Sequence, residues 1–211
     1  MARISESKCR LCRRAGEKLF LKGERCSTPK CVMTKRPYPP GEHGSKNKRK
    51  GLSEYGKQLL QKQKVRRIYG ISEKQFRKHL TDASKKKGVA GDNLIIRLET
   101  RLDNVVFRMG LAESRALARQ LVKHGHILVN GRKLDIPSAE VGLGDEISVK
   151  ETKKEKSYFK DRKMVLSKNL NTPSWLTFDV KKMAGKVLAK PAKEEAEVGV
   201  DAQEIVEFYS R

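Results

Sequence analysis

No apolar run in this chain approaches the length needed to cross a bilayer, and Met1 to Arg10 has no apolar segment of the signal-peptide kind. The cytosol is therefore the expected location. Acidic residues are scarce: 25 Asp and Glu stand against 48 Lys and Arg, a formal net charge of +23. Such a field keeps like surfaces apart and favours polyanions, which makes nucleic acid the first partner to consider. Hydrophobic residues make up 37% of 211. That supports one moderate core or two small ones, and leaves no room for a large enzyme domain with an accessory module. There is a single tryptophan, and no cysteine after residue 31. His43 has neither a nucleophile nor a carboxylate arranged with it in a catalytic pattern, so it is not read as a general base.

The charge that is present is uneven. Met1 to Arg67 carries 20 basic and 5 acidic residues, whereas Lys193 to Arg211 carries 2 basic and 6 acidic. An anionic partner is expected against the N-terminal half, with the acidic C-terminus facing protein or solvent. The four cysteines fall in the same basic segment, as Cys9-x2-Cys12 and Cys26-x4-Cys31. In a reducing compartment, four thiols in a stretch too short for a core read as a soft-metal site. Zinc and an iron–sulfur cluster both take four thiolates, and two disulfides or unligated thiols are the competing readings. Four thiolates on a divalent ion leave a local charge of about −2, which Lys8, Arg10, Arg13, Arg14 and Lys30 are placed to offset.

Arg36-Pro37-Tyr38-Pro39-Pro40-Gly41-Glu42-His43-Gly44 predicts an extended arm ending in a turn, ordered mainly by what it touches. Tyr38 and His43 interleaved with cations suit stacking and phosphate contact with folded RNA. Lys46, Lys48, Arg49 and Lys50 continue the arm, or form a flexible basic linker. Ser53 caps a predicted helix that stops at Gly70, and Ser72 with Gln75 begins another, ended by Lys85-Lys86-Lys87 and Gly88. A third is expected from Asp92 through Leu98.

Arg101 to Val149 organises the rest. Leu102, Val105, Val106 and Met109 recur at helical spacing, with Thr100 and Asp103 spaced as a capping box. Glu113 and Ser114 open a second helix with Leu117, Ala118, Leu121 and Val122 on its apolar face, and Gly125 stops it. Arg115, Arg119 and Lys123 line one ridge, where like charges repel unless an anion meets them; the alternative is a solvated face. Asn130-Gly131 between Ile127-Leu128-Val129 and Arg132-Lys133-Leu134 is a strong type I′ hairpin signal, and Glu146 to Val149 returns as a strand. Lys150 to Lys168 reads as a charged surface helix, the Trp175 region as a strand packed on a core, and Asp201 and Glu204 as the opening of a final helix packed on those from Ser53 to Leu98.

The expected architecture is α+β. A helical domain over 46–99 and 173–211 is interrupted by a small RNA-binding module, two helices and a twisted hairpin sheet, over 100–172. A metal knuckle and basic arm occupy 1–45.

RLDNVVFRMG and SRALARQLVKHGHILVNG resemble the small RNA-binding domain of small-subunit ribosomal protein four, which pseudouridine synthases also use. Such an enzyme needs a further mixed sheet with a catalytic carboxylate, and the flanks here offer basic helices, a knuckle and an acidic tail. A free RNA chaperone or stress factor is the other rival. With CRLCRR, LKGERC, KRPYPPGEHG, KQKVRRIYGISEKQFR, ASKKKG, GDEISV and EFYSR added, the chain is similar over essentially its whole length to the bacterial small-subunit ribosomal protein four family, in its four-cysteine version.

The resemblance implies no enzymatic activity. It implies early binding to the 5′ domain of 16S rRNA, nucleation of subunit assembly, and a place in the cytoplasmic ribosome. By carry-over, Arg10, Arg13, Arg14, Lys22, Arg25, Arg36, Arg66, Arg67, Lys85, Lys86, Lys87, Arg115, Arg119 and Lys123 would meet phosphates. Lys46, Lys48, Arg49 and Lys50 would line the mRNA entry channel. Ribosomal protein five, with an influence on decoding accuracy, and protein three are the implied protein neighbours. The family also implies repression of its own messenger in some bacteria.

Overall fold

The computed structural model describes residues 6–46, 51–168, 171–196 and 199–210. In chain order the helices are α1 (Lys8–Ala15), α2 (Val32–Lys35), α3 (Glu54–Ile68), α4 (Glu73–Ser84), α5 (Ala90–Glu99), α6 (Leu102–Arg108), α7 (Arg115–Lys123), α8 (Glu151–Lys154), α9 (Ser157–Lys168) and α10 (Ala202–Ser210). The strands are β1 (Ile127–Val129), β2 (Arg132–Lys133), β3 (Glu146–Val149), β4 (Leu176–Asp179) and β5 (Ala184–Val187). The chain divides into two units, Met1–Ile95 with Val198–Arg211, and Ile96–Glu197. No helix among the described residues is long and apolar enough to cross a membrane.

In the first unit the expected caps form. Ser53 Oγ accepts the Gly56 N–H at 3.2 Å and Ser72 Oγ accepts that of Gln75 at 3.4 Å, each satisfying an orphan donor of a helix start. Gly70 takes φ of 64° and lets the Ile71 N–H turn back to the Arg66 carbonyl, which closes α3. The C-terminal helix α10 packs along α3, as its apolar face predicts. Tyr55 and Phe208 sit 5.4 Å apart by ring centroids, and Phe76 stacks on Tyr209 at 6.0 Å. Lys62 is buried there, with Nζ 2.7 Å from Glu73 Oε1 and 4.5 Å from the Phe208 ring centre. A cation taken out of water needs such partners, and both come from other helices.

The second unit has one continuous core, from Leu102, Val105, Val106 and Met109 of the α6 region through Ile127 and Ile147 of the sheet to Phe159 and Trp175. Asn130 and Gly131 have φ of 49° and 75°, both positive as a type I′ turn requires. The Asn130 side chain also donates to Asp145 and accepts the Glu146 N–H at 2.9 Å, which ties the hairpin to β3. At the end of α7, His126 N–H reaches the Leu121 carbonyl and Gly125 N–H that of Val122, a Schellman closure.

The strand order is β2-β1-β3-β5-β4, every neighbouring pair antiparallel. Residues 176–187 therefore belong to the same sheet as the hairpin, and not to the helical part where 173–211 was expected. Backbone pairing of Ile147 with Gly185 and burial of Trp175, 2% exposed, decide this. The strand β5, AGKV, has neither alternation nor β-branched density, so the sequence reading passed over it. A second correction concerns Asp103. It does not cap α6, whose preceding residue is Arg101 with no side-chain cap, because its carboxylate is taken by two arginines.

Candidate nucleic-acid interface

Two short helices and a tight turn position the thiols. Cys9 and Cys12 lie on α1, Cys26 ends the 3₁₀ turn Gly23–Cys26, and Cys31 precedes α2. All four are free and line one cavity of about 20 Å³, the space of a single ion or water. The Cys12 thiol is pushed up, by burial first and then by repulsion from Cys26, Cys9 and Cys31, with a bond from the Leu19 backbone acting against. The Lys22 N–H points at Cys26 Sγ from 3.4 Å. As the side chains stand, no three His, Cys, Asp or Glu among the described residues are placed to hold a metal ion. The expected knuckle is thus a converged donor set and not a preset cage. Its chemistry fits a soft divalent ion: four thiols on one cavity, with a backbone N–H aimed at one sulfur.

The predicted cations separate into two groups. Arg13 is an internal latch: Nε donates to the Tyr38 carbonyl at 2.9 Å, Nη2 to that of Pro39 at 3.0 Å, and the guanidinium lies 4.7 Å over the Tyr38 ring. One face of Tyr38 is therefore already covered. The arm was expected to take its order from a partner, but Arg13 holds its start, and a Cβ on Gly44 would meet the Pro39 carbonyl oxygen at 2.0 Å, so its turn is tightly closed. Arg66 donates to Glu73 at 2.8 Å.

On the ridge of α7, Arg115 Nε donates to Asn104 at 2.7 Å and its guanidinium lies 4.4 Å over the Phe107 ring, while Arg119 reaches Asp103 at 3.2 Å. Asp103 also meets Arg101, and Glu99 accepts two bonds from Arg108, at 2.8 and 3.0 Å. The ridge repulsion inferred from spacing is relieved by these buried carboxylates, so an external anion is not needed to explain it. Sequence reasoning missed Glu99, and gave Asp103 only the role of a capping residue. Their only signal was an acid placed among apolar helix positions.

The second group is exposed. Arg10, Arg14, Lys22, Arg25, Arg36, His43, Lys46, Lys85, Lys86, Lys87 and Lys123 face solvent. Their side chains, and that of the half-buried Arg67, have no hydrogen-bond or ion-pair partner among the described residues. Arg67 is lowered from the ordinary arginine value, by burial first and then by the Arg14 charge. Lys48, Arg49 and Lys50 lie outside the described residues. A further basic group escaped the sequence reading: His126 is lowered by burial, then by Lys156, Lys153 and His124 around it. Of these twelve basic residues, eleven lie in the first unit, between Arg10 and Lys87, and Lys123 lies in the second.

Known proteins resemble this chain in sequence. Residues 3–99 match the family described as ribosomal protein S4/S9 N-terminal domain, and residues 100–147 match the S4 domain. Small ribosomal subunit protein uS4A of Alkaliphilus oremlandii is 53% identical and that of Acetivibrio thermocellus, uS4, is 54% identical, each covering all of both chains. The uS4 protein of Thermus thermophilus is 52% identical over the same full span. These relatives are ribosomal proteins and not RNA-modifying enzymes. The chain belongs to the uS4 family of small ribosomal subunit proteins.

Proposed function

We propose that this chain is a structural constituent of the small ribosomal subunit, in the cytoplasmic ribosome, and that it binds the 5′ domain of 16S rRNA early enough to nucleate assembly. One observation carries the reading. Within the first unit, eleven of the basic side chains named above, between Arg10 and Lys87, stand in solvent or half-buried with no partner among the described residues, while Arg115 and Arg119 of the α7 ridge are consumed internally. Phosphates supply the missing anions, and each contact releases counterions. The first unit then offers one phosphate-binding surface, and Lys123 at the end of α7 offers a contact on the second unit. Lys46, with Lys48, Arg49 and Lys50, would meet mRNA at the entry channel, ribosomal protein five would be the neighbour through which decoding accuracy is influenced, and protein three would be a further neighbour.

Cys9, Cys12, Cys26 and Cys31 would hold one zinc ion. A [4Fe–4S] cluster is the alternative on the same thiols, and a cavity of about 20 Å³ favours the single ion. When bound, the metal would supply folding energy on the order of 10 kcal/mol to a segment whose own apolar cluster is small. Metal analysis of the purified chain should give one zinc per chain and no visible iron–sulfur absorbance; iron with sulfide would reverse the choice.

The binding test is a salt series with the metal-replete chain, comparing 5′-domain rRNA with an unrelated structured RNA of equal length. Preference for the ribosomal fragment by orders of magnitude at moderate salt is the expected result. Equal affinities that fall together with salt would reduce the reading to the +23 charge.

A further inference from the structure

Beside the α10-facing side of α3 lies an open groove of about 360 Å³ that phosphate binding alone does not use. Leu59 and Leu60 form its apolar floor and Leu52, 56% exposed, adds a wall. Gly56 lines it as well, about two turns before Gln63 on the same helix. Glycine is a poor residue inside a helix, and what it contributes here is space. Gln63 has no hydrogen-bond partner among the described residues.

The rim is cationic. Arg14, Arg66 and Arg67 border the groove. Arg14 and Arg67 have no hydrogen bond or ion pair among the described residues, and Arg66, although held by Glu73 through Nη1, keeps a buried Nε without a partner. Arg66 is already neutralised by Glu73, but Arg14 and Arg67 repel each other beside the apolar slot, and an arriving anion would relieve this. An apolar peptide would cover the leucines and leave the cations unmatched. A regular RNA duplex would pair the cations and keep its bases from the floor. A nucleotide whose base has left its stack satisfies both parts, since it joins a flat, weakly polar ring to a charged backbone.

We propose that this groove receives one unstacked base of the bound RNA, the ring against Leu59 and Leu60, Gln63 on the base edge, and the flanking phosphates on Arg14 and Arg67. The proposal rests on the RNA-binding reading above and adds to it the chemical form of the RNA at this point.

The experiment titrates full-length wild-type chain, Gly56→Leu, Gly56→Ala and Arg67→Gln against 5′-domain rRNA over a salt series, with melting curves to confirm folding. Gly56→Leu fills the groove and leaves the charge unchanged. It should weaken binding about tenfold at every salt concentration. Gly56→Ala, which adds one methyl near the Ser53 hydroxyl, should bind close to wild type. Arg67→Gln should instead lower the slope of affinity against salt by about one unit. In subunits reconstituted with photoleucine at positions 59 and 60, the cross-link should fall on a single unpaired nucleotide. The proposal is overturned if Gly56→Leu binds like wild type while wild type keeps its preference for rRNA, or if the photoleucine captures protein or a paired strand. If wild type shows no preference for rRNA at all, the RNA-binding reading fails first and the groove assignment falls with it.

Discussion

Glu99 is the residue whose replacement the structure makes most informative. Its side chain is 1% exposed and accepts Arg108 through both oxygens at 2.8 and 3.0 Å, with Asn104 Nδ2 at 2.8 Å as a third donor. Arg108 itself is 7% exposed. Glu99→Gln keeps the shape, removes the counter-charge, and leaves a guanidinium facing an amide that cannot neutralise it. Losing one partner of a buried pair costs about 3–5 kcal/mol. The lower end applies here, because the amide oxygen still accepts one bond. For a unit of about 100 residues, 1 kcal/mol corresponds to roughly 4–8 °C, so about 3 kcal/mol should lower the midpoint by about 15 °C. Trp175 is the chain's only tryptophan and lies in the core of the same unit, which makes its fluorescence a selective reporter of thermal unfolding. Replacing both members, Glu99→Leu with Arg108→Leu, should recover part of the loss, since the buried pair is then gone and only Arg115, which keeps Asn104 and the Phe107 ring, loses its more distant carboxylate. A shift under about 3 °C for Glu99→Gln, or a double variant as unstable as the single one, would refute the argument.

Three further outcomes follow from particular contacts. Gly185→Ala should destabilise the second unit by about 1–3 kcal/mol, because the new methyl would lie 2.3 Å from the Thr177 carbonyl oxygen and 2.9 Å from Met109; an unchanged Trp175 melting curve would mean that β4 and β5 do not pair as described. The Tyr158 phenol, which donates to the Leu111 carbonyl, is pushed up to about 12 chiefly by burial. A raised value means that its contribution is complete below the unfolded value near 10 and lost as pH climbs toward 12, so Tyr158→Phe should flatten the alkaline limb of a Tm–pH curve, and an equally steep limb would count against the contact. For Glu73, burial pushes the carboxyl up, but the bonds from Lys62, Tyr209 and Arg66 outweigh it and hold the group below 4.5. Its stabilisation is present above pH 4.5 and lost as pH falls through the lower folded value, so the Tm gap between wild type and Glu73→Gln should narrow from pH 6 to pH 3; a constant gap would remove the charge from the explanation.

What could be read directly from residues was local. Ser53, Ser72 and Ser114 each cap the helix that follows, because an orphan N–H is answered by a hydroxyl within three residues. Asn130-Gly131 announced its turn because positive φ at two successive positions excludes most other pairs. The thiols were legible as two close pairs, and the packing of α1, the 3₁₀ turn and α2 brings all four to one cavity. The ridge on α7 was legible as geometry and not as function: spacing placed Arg115 and Arg119 on one line, and nothing in the spacing could show where their charges would end.

That was decided by the fold. Glu99 and Asp103 meet Arg108, Arg115 and Arg119 only because α5, α6 and α7 pack so that water is excluded between them, and a buried guanidinium must then find a carboxylate inside the protein. The strand β5 likewise exists through its neighbours, since AGKV has little preference of its own and is held by β3 on one side and β4 on the other. By itself the sequence determined net charge, donor chemistry, helix ends and one turn, all properties of residues within a few positions of each other. Which cations remain for RNA, and where a groove opens beside them, depends on partners separated along the chain, and only the tertiary structure brings those together.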